Sequence, residues 1–132
     1  MNGKKILIVD DDKDLLRGLT FRLRANGYET VIATDGYSAM SVAQKEKPDL
    51  IILDIGLPVG DGFTVMERVG KSQSLTLIPI IVLSARDSQI NKERALKAGA
   101  IAFFQKPADN DKLLAAIKKA TGKLGEQVKE TI

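Results

Sequence analysis

Five short apolar runs alternate along this chain with segments whose apolar residues recur at helical spacing. Unbroken apolar runs are typical of strands buried on both faces, and their alternation with helices indicates a parallel sheet covered on both sides. Because crossovers between parallel strands are right-handed, we predict an α/β doubly wound, flavodoxin-like sheet of order 2-1-3-4-5 in a three-layer αβα fold. The predicted strands are residues 5–9, 29–33, 50–53, 79–83 and 101–104.

A predicted amphipathic helix follows each run, with its own start or stop signal. Asp35, Asp87 and Asp109 are candidate N-caps, and Gly27 and Gly99 are candidate stops. The predicted apolar stripes, helix by helix, are Leu15, Leu16, Leu19 and Leu23; Ala39, Met40 and Ala43; Phe63, Met66 and Val69; Ile90, Ala95 and Ala98; and Leu113, Leu114, Ile117 and Ala120. These helices would cover the two faces of the sheet.

The length of 132 residues fits one domain, which we place at residues 1–122, with 123–132 as a polar tail or the start of a linker. No apolar stretch approaches the roughly 18–20 residues that span a bilayer. The first residues do not have the pattern of a signal peptide. We therefore expect a soluble, cytoplasmic protein with no membrane partner.

The chain contains no cysteine and no histidine. This excludes disulfides, cysteine nucleophiles, the common zinc sites and any mechanism that uses a histidine of the chain itself. The net charge of +3 is mild and aromatic residues are 5% of the chain, so we expect no direct contact with nucleic acid. The carboxylates that remain suit hard cations such as Mg²⁺.

Acidic residues follow two strands that neighbour each other in the predicted sheet. Asp10 and Asp11 come after the first strand, and Asp54 comes directly after the third. Ligands of doubly wound sheets bind at the carboxyl ends of the strands. Three carboxylates that converge there repel one another unless a cation neutralises them. The sequence therefore predicts a Mg²⁺ site at this edge.

Two further polar residues belong to the same edge. Ser84 follows the apolar part of the fourth strand, and Lys106 comes soon after the fifth. Acids, metal, hydroxyl and ammonium together suit a phosphoryl group, whose charge is spread over several oxygens. An aspartate can itself be the nucleophile and form an acyl phosphate. We choose Asp54, because the loop beside it, with Gly56 and Pro58, leaves room for the reaction.

The ordered pieces ILIVDDD, LIILDIGLPVGDG, IIVLSAR and AGAIAFFQKP make residues 4–121 resemble the receiver domain of two-component response regulators, as in stand-alone chemotaxis regulators. The resemblance implies that Asp54 accepts phosphate from a histidine kinase or a histidine phosphotransfer protein. It implies that Asp10, Asp11, Asp54 and the carbonyl of Gly56 bind Mg²⁺. Such a domain is a signalling domain that catalyses only its own phosphorylation and dephosphorylation.

The same resemblance assigns roles to the remaining positions. Lys106 would pair with one phosphoryl oxygen and Ser84 would hydrogen-bond another, and Phe103 would be the aromatic residue that switches with Ser84. Pro107 occupies a position at which the peptide is often cis. Asp12, which lengthens the acidic run, reads as a surface or helix-capping residue.

Segment 86–123 holds nine basic and four acidic residues, a net charge of +5. It is either a solvated helix face or a docking surface for a downstream protein, formed by the last two helices and the strand between them. The stretch AIAF (100–103) replaces the ADDY of the receivers that form symmetric dimers on this face. We therefore expect a monomer or a weak dimer.

Three other functions compete with the receiver hypothesis. A haloacid-dehalogenase-type phosphatase also uses an aspartate at a strand end, but it needs a second acid where Gly56 stands. A flavodoxin would have a phosphate loop rich in Ser and Thr after the first strand, where this chain has DDDKD. A degenerate receiver that only binds proteins would lack some of the site residues.

Overall fold

We describe the fold from a computed structural model, which describes residues 3–57, 61–85 and 89–123. Five parallel strands form one sheet in the order β2-β1-β3-β4-β5, which confirms the predicted topology. The strands are β1 (Lys5–Val9), β2 (Glu29–Ala33), β3 (Leu50–Leu53), β4 (Ile80–Ser84) and β5 (Ala102–Gln105). The helices are α1 (Lys13–Ala25), α2 (Gly36–Glu46), α3 (Gly62–Lys71), α4 (Gln89–Lys97) and α5 (Asn110–Lys118), and one wide turn (Lys119–Lys123) follows α5.

Alternate residues of each strand point to opposite faces, so the sheet has a core layer on either side. On one face, Leu7, Ile51 and Val82 pack with residues of α2, α3 and α4. On the other face, Ile8 and Ile52 pack with residues of α1 and α5. Both faces of the central strands are therefore buried, as their unbroken apolar sequences predicted.

Most of the predicted helix signals are confirmed. Asp35 accepts a hydrogen bond from the Ser38 amide (2.8 Å), and Asp109 caps α5 in the same way. Gly27 and Gly99 follow α1 and α4 with positive φ angles of 87° and 111°, a backbone conformation that favours glycine. The candidate cap Asp87 lies outside the described residues.

The strands predicted at 79–83 and 101–104 begin one residue too early, since β4 starts at Ile80 and β5 at Ala102. Pro79 has no N–H to donate to the ladder, and β4 starts at Ile80. At the other end β4 continues to Ser84, because Ser84 pairs with Gln105 of the edge strand β5. The β4–β5 ladder thus reaches further towards the carboxyl edge than the apolar runs indicated.

The predicted apolar stripe of α4 is wrong in two of three positions. Ala95 is fully buried, but Ile90 is 74% exposed and Ala98, beyond the end of the helix, is exposed. The helix lies against β5 at the edge of the sheet, where one small side chain is enough to make the contact. In the described parts of the chain, no helix has the length and apolar character to cross a membrane.

Candidate functional site

Three carboxylates lie together at the carboxyl ends of the neighbouring strands β1 and β3. Val9, the last residue of β1, is in register with Leu53, the last residue of β3. The amide of Asp54 continues this pairing by donating to the Val9 carbonyl oxygen (3.0 Å). One carboxylate oxygen from each of Asp10, Asp11 and Asp54 lies within 4.8 Å of the other two. Strand pairing thus joins acids that are distant in the sequence.

Lys106 reaches this acidic cluster from the end of β5. Its backbone N–H donates to the Ser84 carbonyl oxygen (2.8 Å) and so extends the β4–β5 ladder by one bond. Its ammonium Nζ lies 2.7 Å from Oδ2 of Asp10 and 3.2 Å from Oδ2 of Asp54. The peptide between Lys106 and Pro107 is cis, as the resemblance implied for this position. The lysine therefore bridges two of the three carboxylates.

Burial and charge pairing act in opposite directions on the pKa values of this cluster. Burial raises the pKa of Asp10, which is 2% exposed, although hydrogen bonds from Lys106 and the Asp12 amide oppose the shift. Burial lowers the pKa of Lys106, but pairing with Asp10 and Asp54 outweighs it, so this pKa is raised. With the lysine fully protonated, one ammonium faces three carboxylates, and the cluster carries a formal charge of −2.

Asp12 holds the start of α1 and also helps to orient Asp10. Its carboxylate is the N-cap of α1 and accepts from the amides of Asp14 (3.0 Å) and Leu15 (3.2 Å). Its own backbone N–H donates to Oδ1 of Asp10 (2.9 Å). The capping role matches one of the two interpretations made from the sequence. The contact to Asp10 was missed, although an Asp that accepts from the amide two residues later is a common turn pattern.

The same two-residue pattern fixes the side chain of Asp54. The backbone N–H of Gly56 donates to Oδ1 of Asp54 (2.8 Å), while Oδ2 faces Lys106. Each oxygen of this 8% exposed residue therefore has a defined donor. Pro58, also in the predicted loop, lies outside the described residues.

Asp61 is the N-cap of α3 and was not among the caps predicted from the sequence. Asp61 accepts from the amide of Phe63 (2.8 Å) and begins the helix that returns past the Asp54 loop. An Asp immediately before an apolar helical stripe is the signal that would have found it. The cap fixes where α3 starts relative to the loop after β3.

Ser84 and Phe103 lie on the neighbouring strands β4 and β5. Ser84 is 1% exposed and is the last residue of β4, at the carboxyl edge, where its carbonyl oxygen accepts from the Lys106 amide. Phe103 pairs with Val82, two positions further from this edge, and its half-buried ring packs against the core layer formed with α2, α3 and α4. Both predicted switch residues therefore belong to β4 and β5, the two strands whose ladder Lys106 extends.

Known proteins resemble this chain in both sequence and structure. Residues 6–118 match the family model of the response regulator receiver domain. A CheY-like receiver domain protein from Methanospirillum hungatei JF-1 is 34% identical, with a TM-score of 0.84 over 97% of this chain and 98% of its own. The receiver domain of a Francisella response regulator is 30% identical, with a TM-score of 0.85 over 92% of this chain and 99% of its own.

A third similar structure contains a metal. The receiver domain of a sensor histidine kinase from Pseudomonas aeruginosa PAO1 has a magnesium ion coordinated in its active-site cleft. It is 29% identical to this chain, with a TM-score of 0.83 over 91% of this chain and 98% of its own. The family match covers most of the 132 residues, and the sheet order and the acidic cluster agree with it. The chain therefore belongs to the response regulator receiver domains of two-component signalling.

Proposed function

We propose that Asp54 of this receiver domain accepts a phosphoryl group from a phosphohistidine of a histidine kinase or a histidine phosphotransfer protein. The observation that carries the proposal is the acidic cluster itself. Asp54 lies beside Asp10 and Asp11, and Lys106 contacts Asp54 and Asp10 at 3.2 and 2.7 Å. A carboxylate held this way has an ammonium beside it that can also bind a phosphoryl oxygen.

The residues of the cluster fit Mg²⁺. Their donor atoms are carboxylate oxygens, which this hard cation prefers, and the formal charge of −2 is the charge that a divalent ion neutralises. We propose that Asp10, Asp11, Asp54 and the carbonyl of Gly56 hold the ion. When bound, Mg²⁺ would neutralise charge on the phosphoryl oxygens during transfer. The magnesium seen in the Pseudomonas aeruginosa receiver supports this choice of metal.

The chain's own residues then perform a simple displacement. An oxygen of Asp54 attacks phosphorus, the bond from phosphorus to the donor's imidazole nitrogen breaks, and the imidazole leaves with the bonding electrons. Lys106 turns its ammonium to an oxygen of the transferred group. The chain has no histidine, so the donor imidazole belongs to the partner. A receiver acting this way signals and turns over no separate substrate, and we expect it to do so in the cytoplasm.

Phosphorylation exchanges the single negative charge of the Asp54 carboxylate for a group of roughly −1.5 to −2 charges, at the sheet edge where Ser84 ends β4. We propose that the Ser84 hydroxyl moves to a phosphoryl oxygen and that the Phe103 ring turns further inward into the space this opens. Both residues belong to the strands beside α4 and α5. The shift would therefore change the surface formed by α4, β5 and α5, as a two-state equilibrium biased by the new charge.

That surface is our proposed docking site for a downstream protein. Its described helices expose Lys92, Arg94, Lys97, Lys112, Lys118 and the following Lys119. A basic surface fits an acidic partner. We keep the expectation of a monomer or weak dimer that does not bind nucleic acid directly, and of a domain at residues 1–122.

The test is labelling by acetyl phosphate in Mg²⁺, followed by intact-mass spectrometry. Wild type should gain the mass of one phosphoryl group, Asp54→Asn should gain none, and excess EDTA should stop the reaction. Asp49→Asn is the matched control, because Asp49 is an exposed acid before the other end of β3. Full labelling of Asp54→Asn would contradict the assignment. An unlabelled wild type would instead support the degenerate, protein-binding receiver.

A further inference from the structure

Gly62, the first residue of α3, is in very close contact with the backbone that follows β3. A Cβ atom built on Gly62 would lie 2.5 Å from Cα of Ile55 and 2.7 Å from the carbonyl oxygen of Asp54. Favourable contacts between non-bonded carbon atoms are about 3.5–4.0 Å. Its φ is not left-handed, so the need for glycine at this position is steric. Helix and loop approach so closely that only a hydrogen atom fits between them.

The loop side of this contact is firmly anchored. The amide of Asp54 is hydrogen-bonded to β1 through the Val9 carbonyl oxygen (3.0 Å). The side chains of Ile55 and Leu57 are 2% and 8% exposed and belong to the core layer beneath α3. The loop cannot move away from the helix without disturbing either the sheet or the core.

The helix side is anchored as well. Val65, Met66 and Val69 are each at most 3% exposed and fix α3 against the same core layer. Asp61 caps its first turn through the Phe63 amide. A methyl group at Gly62 would therefore push on two anchored segments. The loop can yield most easily at Gly56, which is exposed and has no side chain, whereas Ile55 before it is held in the core.

We propose that Gly62 is a positioning residue for the phosphoacceptor, since it lets α3 set the place of the Asp54 carboxylate and the Gly56 backbone. The inference rests on the proposed function, in which these two residues bind Mg²⁺ and Asp54 takes the phosphoryl group. In Gly62→Ala the loop shifts, and the Gly56 amide bond to Asp54 Oδ1 is strained. Mutation of residues that orient metal ligands without binding the metal typically costs about 10–100-fold in metal affinity, so we expect at least tenfold weaker Mg²⁺ binding.

The chain offers a matched control in the same helix. A Cβ atom built on Gly70, near the end of α3, would have nothing within 4 Å, and Gly18 in α1 is equally open. Alanine at either position should favour its helix, because glycine is the weaker helix former. Gly70→Ala should therefore bind Mg²⁺ and accept phosphate as wild type does.

The experiment measures Mg²⁺ binding and labelling separately. Titration with Mg²⁺, followed by the NMR signal of the Gly56 amide, gives the affinity of the folded protein. Labelling by acetyl phosphate at saturating Mg²⁺ gives the rate. We expect Gly62→Ala to show weaker binding and a labelling rate at least tenfold lower than wild type. Equal affinity and equal rate in a folded Gly62→Ala protein would overturn the inference.

A second variant separates positioning from loss of stability. Gly62→Ala is combined with Gly18→Ala and Gly70→Ala to restore its melting temperature. If the triple variant folds but its affinity for Mg²⁺ stays low, the positioning role is supported. Full recovery of affinity, or failure to fold, would leave Gly62 with a structural role alone and would overturn the inference. If wild type is not labelled, the proposed function fails, and the Mg²⁺ titration alone then decides the role of Gly62.

Discussion

Replacement of Asp11 by asparagine should stabilise the metal-free protein. The Asp11 carboxylate is exposed and has an oxygen within 4.8 Å of oxygens of both Asp10 and Asp54. Two like charges at that distance repel by about 0.9 kcal/mol even in water, so the two pairs give about 2 kcal/mol. Attraction to Lys106 and screening by salt reduce the gain in unfolding free energy to about 1 kcal/mol.

Thermal unfolding in EDTA at low ionic strength measures this gain. For a domain of this size, about 1 kcal/mol raises Tm by roughly 3–5 °C. Addition of Mg²⁺ should reverse the order of their Tm values, so that wild type unfolds at the higher temperature. Wild type would gain about 2.7 kcal/mol at a concentration 100 times its Kd, whereas Asp11→Asn lacks one proposed ligand and gains less.

Asp14→Asn is the control for this prediction. Asp14 is an almost fully exposed acid in the first turn of α1 and lies 4.0 Å from Arg17, apart from the acidic cluster. Its replacement should give no stabilisation, because an acid near a helix N-terminus is itself favourable. Repulsion at Asp11 is refuted if Asp11→Asn is no more stable than wild type in EDTA, or if its gain in stability persists unchanged in high salt.

Further predictions concern the lysine, a helix cap and the surface of α4. Lys106→Met should lower the free energy of unfolding at pH 7 without Mg²⁺ by about 2 kcal/mol, because buried Asp10 loses its cation and keeps only the Asp12 amide as a donor among the described residues. The pKa of Asp10, already raised, would rise further in this variant, so the folded state binds a proton at low pH and loses it as pH rises through that pKa. Urea titrations should therefore show that the stability difference from wild type shrinks from pH 7 towards pH 4. Asp12→Ala should cost about 1 kcal/mol in urea unfolding through the lost cap, while Asp12→Asn costs little, and similar losses in both would contradict the capping role. Ala95→Asp should unfold the domain or lower its Tm sharply, whereas Ile90→Asp should change Tm by little, since these residues are 0% and 74% exposed; a reversed order by circular dichroism would refute the corrected face of α4.

The fold could be predicted from local patterns because they report burial directly. Strands such as Leu50–Leu53 are apolar at every position because both of their faces are covered, and this leaves few arrangements of the sheet. The rule failed for α4. That helix lies at the edge of the sheet and buries little besides Ala95, so its sequence carries only a weak period.

The sequence by itself determined which chemical groups stand at the strand ends. Asp10 and Asp54 follow buried strands and Lys106 follows the half-buried edge strand β5, and the parallel order of those strands sends all three to one edge. This follows from the parallel direction of the strands, which the alternation of strands and helices along the chain already indicates.

Only the tertiary structure decided how those groups meet. The bridge from Lys106 to Asp10 and Asp54 spans segments far apart in the chain, and the contact of Gly62 with the Asp54 backbone depends on how α3 packs. Distances of this kind are set by packing between elements to within a few tenths of an ångström. Hydrophobic periodicity fixes which face of an element is buried, but it carries no information on how closely two backbones approach.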